Sequence, residues 1–554
     1  MSTLVGMSRI LAPLLTLTLV ALSPARIEPV DAEVNARIRN EAQERSRLPW
    51  ITHHLTDLYG PRLTGSPSLE QAGRWAIETM EAWGLSNGRM EPWDWGHEGW
   101  RNDRATGHIV EPVQDRLEFE VVAWTPSTRG TVRTEAINLV VPGGPPGPTE
   151  AELTSYLESV ASRIRNGIVL VGAWEPVPVD FTPSPMRMPD ELVRGRFGPP
   201  DANAAAGPGR GGARGNAGGG RGRGRGATEG GRLTQQQVAL RVAEFMRTHR
   251  PALRIFDAGR PHGQIAAYNV AGYDSGRTVP TVLMRHEDYG RVARILSGGT
   301  AVTLEFTIVN RTFPDGRTAY NAIAEIPGTD RADEVVMLGG HLDSWHAATG
   351  ATDNAIGCAI VMEAVRILQA IGVEPRRTIR VALWSGEEQG LLGSRAYVAE
   401  RFGSVENPQP DFAKLSAYWN VDGGTGRIRG ATVFGPPEAA AVLAAIVEPF
   451  GDLGIAGASA TRSRGGGGTD SGAFAGAGLP GISTTQDPIE YGSHTHHTNL
   501  DTYERIVWED ARHAAMITAS VVYHLAMRDE PLPRFALDTM PAPPGGGGRG
   551  AGGS

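Results

Sequence analysis

Between residues 311 and 528, short and nearly unbroken apolar runs alternate with longer amphipathic stretches. This is the pattern of buried strands and covering helices in an α/β sheet with helices on both faces. The runs at 335–338, 378–384 and 415–421 read as strands of that sheet. Residues 354–370 are apolar around most of a helical circumference, which predicts a buried helix. Residues 439–450 and 508–526 give two more helices. Upstream, 41–59 and 68–83 carry helical periodicity and end at Gly60-Pro61 and at Gly84, a C-cap residue. From about 113 to 310 the pattern changes to strand-like runs at 117–124, 167–171 and 302–308 separated by turns, and predicts a β-rich insert.

Composition refines this division. Apolar content of 40% over 554 residues supports a sizeable core and more than one folded unit. Residues 198–231 and 541–554 are dominated by Gly with Arg, Ala and Pro, cannot bury enough apolar surface to offset their conformational entropy, and are expected to be disordered. The net charge of −8 argues against a nucleic-acid partner, and the Arg-Gly repeat at 221–226 reflects a Gly/Arg-rich composition in which Lys414 is the only lysine. Arg9 precedes an apolar run from Ile10 to Leu22, and Ser23-Pro24-Ala25 offers a cleavage site, so residues 1–25 read as an export signal of a secreted or periplasmic bacterial protein. No later run is long enough to span a membrane, so no stable membrane insertion is expected after cleavage. The single cysteine, Cys358, falls in the buried helix and reads as a packing residue.

Candidate chemistry is concentrated in five local strings. They are GGHLDSW at 339–345, GATDNAIG at 350–357, WSGEEQG at 384–390, NVDGG at 420–424 and HHTNLDT at 496–502. His341, Glu387–Glu388 and Asp422 each follow a predicted strand, and in open α/β sheets sites gather at the carboxyl ends of strands. Nitrogen and carboxylate donors without thiolates suit zinc, with cobalt or manganese as alternatives. Asp353, heading its helix, is placed to bridge two ions, with His341 and Asp422 on one and Glu388 and His497 on the other. Glu387 is then the general base. Asp343 is expected to accept the free ring N–H of His341, and Asp501 that of His497. His494 and His496 read as pocket or surface groups, Asp470 as a pocket-shaping or turn aspartate, and His53 and His54 as structural.

These strings resemble the clan MH dizinc aminopeptidases of the carboxypeptidase Q (plasma glutamate carboxypeptidase) type. DLYGPRLTGSPSLEQAG at 57–73, PRRTIRVALWSGEEQG at 375–390 and GGTDSGAF at 467–474 carry the likeness as well. It implies a three-layer α/β/α zinc-exopeptidase fold with a mixed, mostly parallel sheet, built from 32–112 and 311–531. Residues 113–310 would form an inserted protease-associated domain, a match carried by RNGIVLVGA at 165–173 and VPTVLMRHEDYGRVARIL at 279–296. It further implies two zinc ions, a peptide or dipeptide substrate, hydrolysis of the N-terminal peptide bond, and a cis peptide after Asp353. Monomer and homodimer both remain open. Asn354 departs from the family, which often has an acidic residue there. The rival readings are a glutaminyl-cyclase-like enzyme and a receptor-like protein without activity. The complete ligand set speaks against both, and the Glu387–Glu388 pair speaks further against the first.

Overall fold

The apolar runs become neighbours in one mixed eight-stranded sheet. The computed structural model describes residues 28–143, 147–198, 231–269, 272–465 and 468–543. The expected export signal lies outside the described residues, as do the two low-complexity tracts apart from Gly198, Gly231 and 541–543. The strand order is Ser86–Asp94, Thr318–Ile326, Arg377–Trp384, Arg331–His341, Leu415–Asn420, Gly481–Gln486, Ile428–Phe434 and Ala458–Thr461. The four central members, from Arg377–Trp384 to Gly481–Gln486, are mutually parallel. Their register sets His341 opposite Trp384 and Gly339 opposite Asn420, so the chain leaves three adjacent strands at one level. That shared edge positions the site.

Helices cover both faces. On one lie Ala32–Arg45, Pro67–Ala82, Ile356–Ala370, Pro437–Val447 and Trp508–Met527, whose apolar residues form the main core. On the other, Leu392–Arg401 and Ser471–Ala477 close a smaller core around Trp384, Tyr418 and Phe474. Ile356–Ala370 is buried from Ile356 to Leu368, and its two charged residues in that stretch are paired: Arg366 binds Glu363 and, across the helix interface, Glu41 at 2.7 Å. The helix expected over 41–59 is instead broken. Ala32–Arg45 stops, Leu48–His53 restarts with Pro49 in its first turn, and His54–Leu58 is a π-helical turn. Pro49 lacks the N–H a continuous helix needs and its ring would clash with the carbonyl of Arg45.

Residues 99–313 build a second eight-stranded sheet. Four of its strands, Val132–Leu139, Ile168–Val171, Leu253–Asp257 and Thr281–Met284, run parallel. Three helices, Glu150–Ile164, Gln235–His249 and His286–Ser297, accompany them. Of the run at 117–124 only Phe119–Val121 is a strand; Trp124 takes a positive φ of 54°, which ends any extended ladder.

The chain does not stay within that second sheet. After Val171 it crosses to the first sheet as residues 174–198, where Arg187 pairs with Asp487 and Asp510, and Arg429 with Asp190 and Asp487. Phe197, at the end of the helix Asp190–Phe197, is buried against Gly430, where any Cβ would stand 2.3 Å from its ring.

Candidate metal centre

The site begins at the carboxyl edge of the parallel strands. His341 is the last residue of its strand; Glu387 and Glu388 follow Trp384; Asp422 follows Asn420. Asp353 comes from a kinked turn, Ala351–Ala355, that enters the buried helix; Asp353 and Asn354 are non-helical there, and the peptide bond between them is cis. His497, at φ 62°, comes from the loop after Tyr491–Thr495.

All five candidate ligands meet. His341 Nε2 lies 3.2 Å from Asp353 Oδ1 and 3.5 Å from Asp422 Oδ1. His497 Nε2 lies 3.0 Å from Asp353 Oδ2 and 2.9 Å from Glu388 Oε2. Asp353 therefore presents one oxygen to each histidine, in the two groups the sequence had paired. His341 Nδ1 donates to the backbone carbonyl of Asp343 at 3.0 Å, so the lone pair of Nε2 points at carboxylate oxygens. The buried Glu388 Oε1 has no hydrogen bond among the described residues. Acceptors that converge on common points fit a coordination sphere for cations, and the donor set, imidazole and carboxylate without thiolate, fits zinc chemistry.

The electrostatics agree with that fit. Burial, reinforced by Asp422, Asp470 and Glu388, raises the pKa of Glu387, with His341 opposing. Burial and Asp353 push Glu388 up to about 7. Burial likewise lifts Asp470 and Asp501 to about 7. Burial opposes a charge on His341, but Asp422 and Glu387 outweigh it and raise its pKa. Crowded carboxylates in a dry site demand positive charge, which bound cations supply.

Several supporting roles differ from expectation. The carboxyl group of Asp343 stands 3.7 Å from His341 Nδ1, farther than its own backbone carbonyl. It accepts instead from the backbone N–H groups of Glu387 and Glu388, at 3.3 and 3.2 Å, and from the Thr64 hydroxyl. Asp343 thus fixes the glutamate pair as well as the histidine. Asp501 does not serve His497. It accepts from the N–H of Thr352 at 2.6 Å and of Asp353 at 3.1 Å, holding the turn that carries the central carboxylate. The partner of His497 Nδ1 is the hydroxyl of Tyr268, from the second sheet's side of the molecule, at 3.2 Å. Asn354 donates from its amide to the carbonyl of Val421, tying the Asp353 turn to the residue before Asp422.

Among the remaining candidates, His496 stacks on His497 with ring centroids 3.7 Å apart and lines the cavity, whereas His494 bonds to its neighbour Ser493. Asp470 is fully buried and makes no capping bond to the helix it precedes, so it is no ordinary turn aspartate. His54 stacks on Trp75 on the far helix, and Cys358 is buried with Sγ donating to the His341 carbonyl.

Arg62 escaped the sequence reading altogether. Fully buried, it donates to the carbonyls of Leu55, Leu342, Thr349 and Gly350 and laces together the loop between His341 and Asp353. An arginine beside Pro61 carries no local signal of this.

The ligand cluster opens on a cavity of about 850 Å³. Its far walls carry Ser471, Ser483 and Thr484, with Arg395 and Arg196 at the rim, the latter from the crossing segment. A cleft of this size, with imidazole and carboxylate groups that could hold a cation at its floor, suits a hydrolytic metalloenzyme.

Residues 321–522 match the model of peptidase family M28, and with the relatives that follow this marks the chain as a metallopeptidase. It is 26% identical to carboxypeptidase Q of Mus musculus and 27% identical to that of Homo sapiens, each over 91% of this chain and 90% of the relative. The crystal structure of a peptidase M28 precursor from Shewanella amazonensis superposes with a TM-score of 0.59 at 23% identity, covering 91% of this chain and 98% of that one. BSAP, a zinc aminopeptidase from Bacillus subtilis, gives 0.52 at 15% identity over 89% of this chain and 98% of its own. Both superpositions show the shared α/β peptidase fold. No helix among the described residues is long and apolar enough to cross a membrane.

Proposed function

We propose that this metallopeptidase is an exported dizinc exopeptidase that hydrolyses the N-terminal peptide bond of peptides or dipeptides. The observation that carries the reading is the two-sided environment of Asp353, with His341 and Asp422 about one oxygen and His497 and Glu388 about the other. Two ions held there would supply Lewis acidity to the scissile carbonyl and lower the pKa of the attacking water. Glu387, beside the ligand Glu388 and held through its N–H by Asp343, takes a proton from that water and delivers it to the leaving amine nitrogen. Tyr268 keeps the proton on His497 Nδ1, leaving Nε2 free to bind. The zinc of the Bacillus subtilis aminopeptidase supports the choice of metal, and the apolar run from Ile10 to Leu22 supports export. Residues 113–310 are the protease-associated-like insert.

An activity screen on zinc-reconstituted protein tests this, comparing free dipeptides, N-blocked peptides and aminoacyl chromogenic amides. Cleavage of unblocked substrates alone is the expected result; cleavage of N-blocked peptides alone overturns the aminopeptidase reading. Glu387→Gln should keep both ions, measured by elemental analysis, yet lose nearly all turnover. Full activity in that variant removes Glu387 as the base.

A further inference from the structure

The second sheet carries a cavity of its own, about 590 Å³ and sharing no lining residue with the candidate metal centre. It lies at the carboxyl ends of three adjacent parallel strands, where Leu139, Val171 and Phe256 line it, and is roofed by Val238 and Val242 of the helix Gln235–His249. This is the edge at which open α/β sheets receive ligands. Among the described residues only two polar side chains line it, those of Gln235 and Arg254.

Arg254 is the unusual one. It is 7% exposed, and its guanidinium donates only from Nε, to the Thr281 hydroxyl at 3.2 Å. Among the described residues its two terminal nitrogens make no hydrogen bond or ion pair, and the ring of Phe256 lies 5.0 Å beneath the guanidinium carbon. Burial, with no carboxylate near enough to counter it, lowers its pKa to about 10. Buried charges in proteins are ordinarily paired, because desolvating a lone cation is costly. The molecule meets that rule elsewhere, with Glu363 and Glu41 around the buried Arg366.

We propose that this cavity is a binding site for an unbranched aliphatic carboxylate, its head paired in bidentate fashion with Arg254 and its chain laid against the apolar walls. A planar carboxylate matches the free edge of the guanidinium. The walls argue against a peptide occupant, since a peptide's N–H and C=O groups would be buried against side chains that offer almost no partners.

Calorimetric titration of octanoate into the full, metal-loaded chain tests this. Saturable binding is expected, weakened about tenfold or more by Arg254→Gln and largely restored by Arg254→Lys. Octan-1-ol should bind the wild type no better than octanoate binds Arg254→Gln. Ala239→Trp, which fills the cavity and leaves the arginine in place, should abolish binding without changing peptide hydrolysis. Octanoate that fails to bind the wild type, or that binds Arg254→Gln and Ala239→Trp as well as the wild type, overturns the site. Displacement of octanoate by an N-acetylated apolar peptide at lower concentration overturns the aliphatic occupant.

Discussion

Arg62 concentrates more structural consequence in one side chain than any ligand does. Three of its four carbonyl partners, those of Leu342, Thr349 and Gly350, lie 280 to 288 positions away in sequence, and the fourth is that of Leu55. Arg62→Met keeps the length of the stem and removes the donors; it should lower unfolding free energy by about 4 kcal/mol, read from urea denaturation, since buried carbonyls would be left unpaired. An unchanged denaturation midpoint would show those bonds to be dispensable. His346 makes a prediction in pH. Its Nε2 donates to the Val121 carbonyl at 2.6 Å, its Nδ1 is buried with no partner among the described residues, and burial lowers its pKa to about 4, the Val121 bond opposing. Because the folded-state value lies below the unfolded value of about 6.5, the neutral ring's contribution is complete above that pH and is lost as pH falls from 6.5 through 4. His346→Gln can keep the bond to Val121 without titrating. Over that window the wild type should lose about 3 kcal/mol more stability than the variant, a difference that chemical denaturation at stepped pH measures directly.

At the scale of elements, the decisive contact is the approach of the buried helix to the strand that ends at His341. Gly340 and Gly357 make room for Asn354; a Cβ on Gly357 would fall 2.1 Å from Asn354 Oδ1. Gly357→Ala should displace that amide and break its bond to Val421, costing about 1–3 kcal/mol and turnover by an order of magnitude or more. Wild-type kinetics in the folded variant would mean that the turn tolerates the shift. The elements themselves were largely legible in the sequence. The central strands and the buried helix advertise themselves by continuous apolar runs, and the strand-end placement of His341, Glu387, Glu388 and Asp422 follows from those runs. What stayed hidden depends on neighbours in space. Asp343 and Asp501 stand close in sequence to His341 and His497, which invited pairing them, whereas the backbone N–H groups they bind are brought by other segments. The helix break is the exception, since Pro49 could have been read locally.

For the whole molecule, the second sheet is joined to the candidate metal centre through Tyr268 and through Asn499, whose backbone N–H and side chain bond to Gly263 and Ile265 of the facing loop. Tyr268→Phe removes only a hydroxyl. It should weaken metal affinity about 10- to 100-fold, measured by competition with a chelator, while leaving the thermal midpoint of the apo protein nearly unchanged. Equal affinity in both proteins would place the control of His497 elsewhere. Contacts of this kind cannot be found from periodicity, because each partner looks like an unremarkable loop residue in its own stretch.

The crossing segment has a mechanical consequence. Two bodies connected only by a pair of adjacent linkers, such as those at Trp95 and Arg317, can swing about that joint like a door. Here the chain returns to the first body midway through the second and is riveted there by Arg187, Arg429 and Phe197. A third point of attachment away from the hinge line turns the door into a bracket. Such an attachment restrains swinging about that joint, and it sets Arg196, on the rivet itself, in the wall of the candidate metal cleft.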